Sequence, residues 1–255
     1  MKKFLMILVG ISAFIVGLYW ITSDGATIRY RMTLTATVDG QPATGSGVIE
    51  VKYFQEPEWA SLGGSREIVQ VDGEAVVLDL KDRGKLFALL RLPVSTRNNS
   101  LKGRLGGGSG DFFGGAFNAQ LIPYVWRNHG LIPAEDYDGN YRTYHWFSCV
   151  KGKVTLKTKE LPLLFRFGDT ADQATAELVF PDNLAASFGP GVNLTEVTVE
   201  ITNDPITRGI VNTLPWLSHK PTGMGLYDTG LCADAWPKIP AGCLMRQALI
   251  ETPGE

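Results

Sequence analysis

The clearest pattern in the chain lies at residues 28–38, where Ile28, Tyr30, Met32, Leu34, Ala36 and Val38 alternate with Arg29, Arg31, Thr33, Thr35 and Thr37. Strict period two predicts a strand with one buried and one wet face. Asp39-Gly40 signals a turn, and residues 47–54 read as the next strand, which gives a hairpin with a loop longer than two residues. Further along, 67–71 and 74–80 flank Asp72-Gly73 as a tight hairpin, and 85–92 adds a third strand to make a meander. Strand patterns resume at 153–158, 163–167, 176–180 and 194–202. Between the last two, PDNLAASFGPG predicts one helical turn, begun by Pro181-Asp182 and stopped by Gly189-Pro190. Residues 205–216 predict another short helix.

Two regions break this rhythm. Residues 93–148 are rich in glycine and aromatics, with seven glycines between Gly103 and Gly115, and predict an irregular insertion with at most one short helix around 115–125. The other is the N-terminus. Met1-Lys2-Lys3 precedes residues 4–22, which carry no charge and end near Tyr19 and Trp20. A helix of that length spans about 28 Å, close to the hydrocarbon thickness of a bilayer, and the lysines place its start on the cytoplasmic side. The run is longer than the apolar region of a signal peptide, and Ser23-Asp24-Gly25 makes a poor cleavage site, so an anchor is favoured over a cleaved signal.

The expected protein is therefore mainly β. Residues 1–25 form a signal-anchor or transmembrane helix, and 26–255 form an antiparallel β-rich domain, a sandwich or two packed sheets, with short helices and the insertion at 93–148. The expected location is a bacterial inner membrane with the domain in the periplasm or outside, the alternative being secretion after cleavage.

The segments IRYRMTLTATVDG, TGSGVIEV, GEAVVLDL, KLFALL and LLFRFGD, together with PDNLAASFGPGVNLTEVTVEITNDPIT and LPWL, resemble a family of uncharacterised bacterial exported or membrane-anchored proteins. The resemblance covers residues 28–92 and 160–217. It implies export and a β architecture and brings no activity, ligand or catalytic residue with it.

Charge narrows the partners. Lys and Arg number 24 against 26 Asp and Glu, and setting aside Lys2 and Lys3 leaves the exported part more acidic still. With no basic run to meet phosphates, a nucleic-acid surface is excluded. The expected partners are the inner membrane, through residues 4–22, and an envelope protein or wall component. No cofactor motif is present.

Candidate chemistry gathers in the insertion. Acyl transfer needs a nucleophile, a base and an orienting acid, and Ser109, His129 and His145 are the candidates for the first two roles. The glycine run around Ser109 lacks the lysine of a phosphate loop, and Asp111 stands where a nucleophile elbow needs glycine. Asp136, Asp138 and Asn140 place oxygens at alternate positions as calcium loops do, but Tyr141 and Phe147 replace the glycine and glutamate of an EF-hand, which favours a surface turn. Tyr124, Trp126, Tyr144 and Trp146 are candidate contacts for a glycan or protein partner, and core packing accounts for such aromatics equally well. Of the three cysteines, Cys232 and Cys243 suit a local disulfide across a Pro- and Gly-containing loop, and Cys149 sits in an apolar stretch as a buried thiol. The balance favours a non-catalytic binding or interaction module, with an exported hydrolase whose site lies in residues 103–148 as the alternative.

Overall fold

The computed structural model describes residues 9–12, 14, 17, 24–55, 67–90, 119, 122–132, 150–218 and 249–251. They are mainly β, in two antiparallel sheets. The larger sheet runs β10-β3-β2-β1-β9-β6, and the smaller runs β4-β5-β7-β8. In chain order the strands are β1 (Asp24–Val38), β2 (Gln41–Gln55), β3 (Glu67–Glu74), β4 (Val76–Asp79), β5 (Lys85–Ala88), β6 (Lys153–Thr155), β7 (Leu164–Phe167), β8 (Ala176–Val179), β9 (Val192–Ile201) and β10 (Ile250–Glu251).

The alternating segment at 28–38 is the middle of this fold, because β1 pairs along its whole length with β2 and on its other side with β9. Its six apolar residues are buried in the main core together with Ile49, Val51 and Tyr53 of β2. The β1–β2 loop is shorter than expected. Val38 pairs directly with Gln41, so Asp39 and Gly40 alone make the turn, with φ of 51° and 80°. Two consecutive left-handed residues match the twist of the flanking strands, and Asp-Gly adopts them readily. Residues 41–46 read as loop because they hold Pro42 and Gly45. Neither disrupts β2, since β3 pairs only with residues 50–55 and leaves the edge at Pro42 without a neighbouring donor requirement.

Asp72-Gly73 is not a hairpin turn. Both residues lie within β3, where Asp72 pairs with Glu50 and Gly73 with Glu251. A side chain at position 73 would press on Ile49, with a Cβ 3.2 Å from its γ carbons. The glycine therefore serves a close strand approach. The chain leaves the large sheet one step later at Ala75, whose N–H donates to Leu249 O at 2.6 Å, and enters β4 of the small sheet.

Between β4 and β5 a short turn at Lys81–Arg83 closes a hairpin, and β7 and β8 extend the sheet from β5. Alternation then divides the small sheet between two cores. Val76, Leu78, Leu86, Ala88, Leu164 and Val179 join the main core against the large sheet. Phe87, Leu89, Phe165, Phe167 and Leu178 point the other way and form a second core with Ile210, Leu214, Leu217 and Leu249. The short helix α2 (Leu184–Phe188) stops at Gly189 (φ 90°) as the sequence reading has it, but it begins at Asn183 rather than at Pro181-Asp182, with the Asn183 side chain accepting from Ala186 N. Residues 205–216, read as one helix, instead hold 3-10 turns at Ile210–Asn212 and Pro215–Ser218.

Among the described residues no helix is long and apolar enough to cross a membrane. Of the segment at 4–22 expected to span one, the description covers only residues 9–12, 14 and 17, which are helical, with Val9, Ile11 and Phe14 exposed. No disulfide is seen among the described residues, which include none of the three cysteines.

Candidate functional site

The part of the insertion that the structure describes is built around the helix α1 (Ile122–Asn128). Ile122, Val125 and Trp126 fall at the i, i+3, i+4 spacing that makes one apolar stripe, and all three are buried in the main core. Pro123 sits in the first turn, where a helix needs no donor from it. The C-terminus is closed by a paired cap: Gly130 N donates to Arg127 O and Leu131 N to Trp126 O, with Gly130 in the left-handed region at φ 72°. Just before α1, Ala119 N donates to Leu90 O at 2.7 Å, and Tyr30 of β1 donates through its hydroxyl to Ala119 O at 3.5 Å.

That cap sets the position of His129. Its own N–H bonds back to Val125 O, and its Nε2 lies 2.8 Å from Glu160 Oε2. Glu160 ends the 3-10 turn Thr158–Glu160 that links β6 to β7, and the same Oε2 accepts from Lys157 N at 2.9 Å. The side chains of the pair are only 14% and 13% exposed. Because a carboxylate only accepts, Nε2 is the donor of this bond. The pair thus orients the imidazole and ties α1 to the turn between β6 and β7.

Trp126 is fully buried, so this candidate contact residue packs in the core. Among the described residues its buried indole Nε1 has no hydrogen-bond partner. Tyr124, on the same helix, is half-buried. Ser109, His145, Tyr144, Trp146, Asp136, Asp138, Asn140, Cys232 and Cys243 lie outside the described residues, so of the candidates only Tyr124, Trp126 and His129 have a place in this geometry. Among the described residues no group of three or more His, Cys, Asp or Glu is arranged to hold a metal. Glu160 was not legible beforehand. It lies in the charged stretch KTKE, at the end of the segment read as a strand over 153–158, and no motif connects it to His129.

A second polar region covers the outer face of the large sheet. Glu50 is 4% exposed and takes a 2.5 Å contact from Arg29 Nε, its cross-strand partner, and a 3.2 Å contact from Lys52. Burial pushes the Glu50 carboxyl up, but hydrogen bonds and charge from Arg29 and Lys52 outweigh it and hold the group below the usual carboxylate range. Asp72, opposite Glu50 on β3, pairs with Arg208 at 2.5 Å, and Glu74 accepts from Ile210 N at 2.8 Å. These carboxylates are each occupied by a cation or a backbone donor, which is the arrangement of a structural polar face.

Comparison with protein-family models, curated proteins and solved structures gives no match to this chain.

Proposed function

We propose that this protein is a membrane-anchored envelope protein whose β domain presents the 93–148 insertion to a protein partner or a wall component, without catalysis. The observation that carries this reading is the rooting of α1. Trp126 and its neighbours seat the helix in the main core, and His129 clasps Glu160 of the sandwich, which gives a contact surface built on this insertion a rigid footing. The uncharged stretch at 4–22 supports the anchor and the envelope location.

The hydrolase reading is favoured by one observation of its own. An imidazole oriented by a carboxylate is the base-and-acid half of an acyl-transfer site, and His129 with Glu160 has that form. In that reading Ser109 is the candidate nucleophile. Replacing His129 and His145 together by Ala separates the two. A binding module keeps most of its partner affinity in this variant, because Ile122, Val125 and Trp126 still seat α1 in the main core, provided the circular dichroism spectrum is unchanged, whereas a hydrolase loses turnover of ester or amide probes by several orders of magnitude.

A further inference from the structure

We propose that residues 202–218 form a strap that opens as a unit, without unfolding the main core, and uncovers the outer apolar face of the small sheet. The strap leaves β9 and crosses the outer face of the large sheet, pairing Asp204 with Arg31 of β1. Thr207 then docks on the free edge of β2, donating its N–H to Val48 O and accepting from Val48 N through its hydroxyl oxygen. Arg208 pairs with Asp72, and Ile210 N donates to Glu74. Beyond this clasp, Ile210, Leu214 and Leu217 lie on Phe87, Phe165 and Phe167.

Three features make this a separable unit. First, the apolar contacts of the strap belong to the second core, distinct from the main core, so opening leaves the packing between the two sheets intact. Second, the clasp is mostly polar and open to water on one side: the Arg208 side chain is 44% exposed, while Asp72 and Glu74 beneath it are buried, and opening lets water take over the contacts of all three. Third, the closed strap buries a polar group. Trp216 packs 5.9 Å from Phe167, with its Nε1 buried and, among the described residues, without a hydrogen-bond partner. An unpaired buried N–H is a standing penalty on the closed form, and opening returns it to water. What is uncovered is a strip of aromatic and aliphatic side chains on a sheet, the kind of surface that packs against another apolar element.

Native-state hydrogen exchange on the full-length protein tests this. The reporters are the hydrogen-bonded strap amides of Thr207, Ile210, Leu214 and Leu217, set against Leu34, Val197 and Val199 of the large sheet. The strap set is expected to exchange together and at least about tenfold faster than the sheet set, through local opening. Arg208→Gln is expected to speed the strap set by roughly a further tenfold and leave the sheet set unchanged. If that variant does not fold, Leu214→Ala, which removes an apolar anchor of the strap, carries the same expectation. The proposal is overturned if both sets exchange at one rate, or if either variant accelerates both sets alike.

Discussion

His129 Nε2 lies 2.8 Å from Glu160 Oε2 although the residues are 31 positions apart, and the pair joins the helix of the insertion to the turn between β6 and β7. A double-mutant cycle with His129→Asn and Glu160→Gln measures that joint. Both groups are mostly buried, so a coupling energy of about 1 kcal/mol is expected in urea unfolding, well above that of an exposed pair. Additive single effects would show that the contact ties nothing down.

Trp126 offers a cleaner test of how α1 is rooted. Truncation to Ala empties the largest fully buried side chain among the described residues and is expected to cost about 3–5 kcal/mol. Trp126→Phe keeps most of the ring and loses no hydrogen bond among the described residues, and should cost only about 1 kcal/mol. Equal losses for the two variants would mean the indole nitrogen is bonded after all.

Gly45 marks where β4 crosses β2. A Cβ there would run into the Val77 carbonyl oxygen and stand 2.7 Å from Leu78 Cα, both backbone atoms that cannot step aside. Gly45→Ala is expected to destabilise the domain by about 3 kcal/mol, seen as a lower denaturant midpoint. Gly40→Ala meets no neighbour and is strained only by its positive φ, so it should cost about 1 kcal/mol.

Glu50 gives the pH dependence. Its carboxyl titrates lower in the folded protein than in the unfolded chain, so over the acid range the unfolded state binds more protons and folding is favoured by raising the pH. The contribution is complete above the unfolded value of about 4.3 and disappears as the pH falls through the lower folded value. The stability gap between wild type and Glu50→Gln should therefore narrow as the pH is lowered from 7 to about 3. A gap that stays constant over this range would remove Glu50 as its source.

Where the sequence revealed the fold, the physical cause was local. The alternation at 28–38 is visible because β1 is central and one-sided, and Gly189 marks the end of α2 through its own cap. The misreadings all come from contacts distant in sequence. Asp72-Gly73 has turn chemistry but is held straight by Glu50 and Glu251, and Gly45 resembles loop only until Val77 is seen against it. Glu160 carries no local signal at all, since its role is created by a histidine on another element. The small sheet was legible as strands, but not as a layer with two apolar faces, because its outer cover arrives from residues 210–217.

The interaction reading is tested most directly by crosslinking the full-length protein in the membranes of its native host, purifying it and identifying what comes with it by mass spectrometry. The account predicts a stoichiometric envelope partner that is retained in the His129→Ala variant and lost when residues 103–115 are deleted. A protein that purifies alone from those membranes, or a partner retained after the deletion, would contradict it.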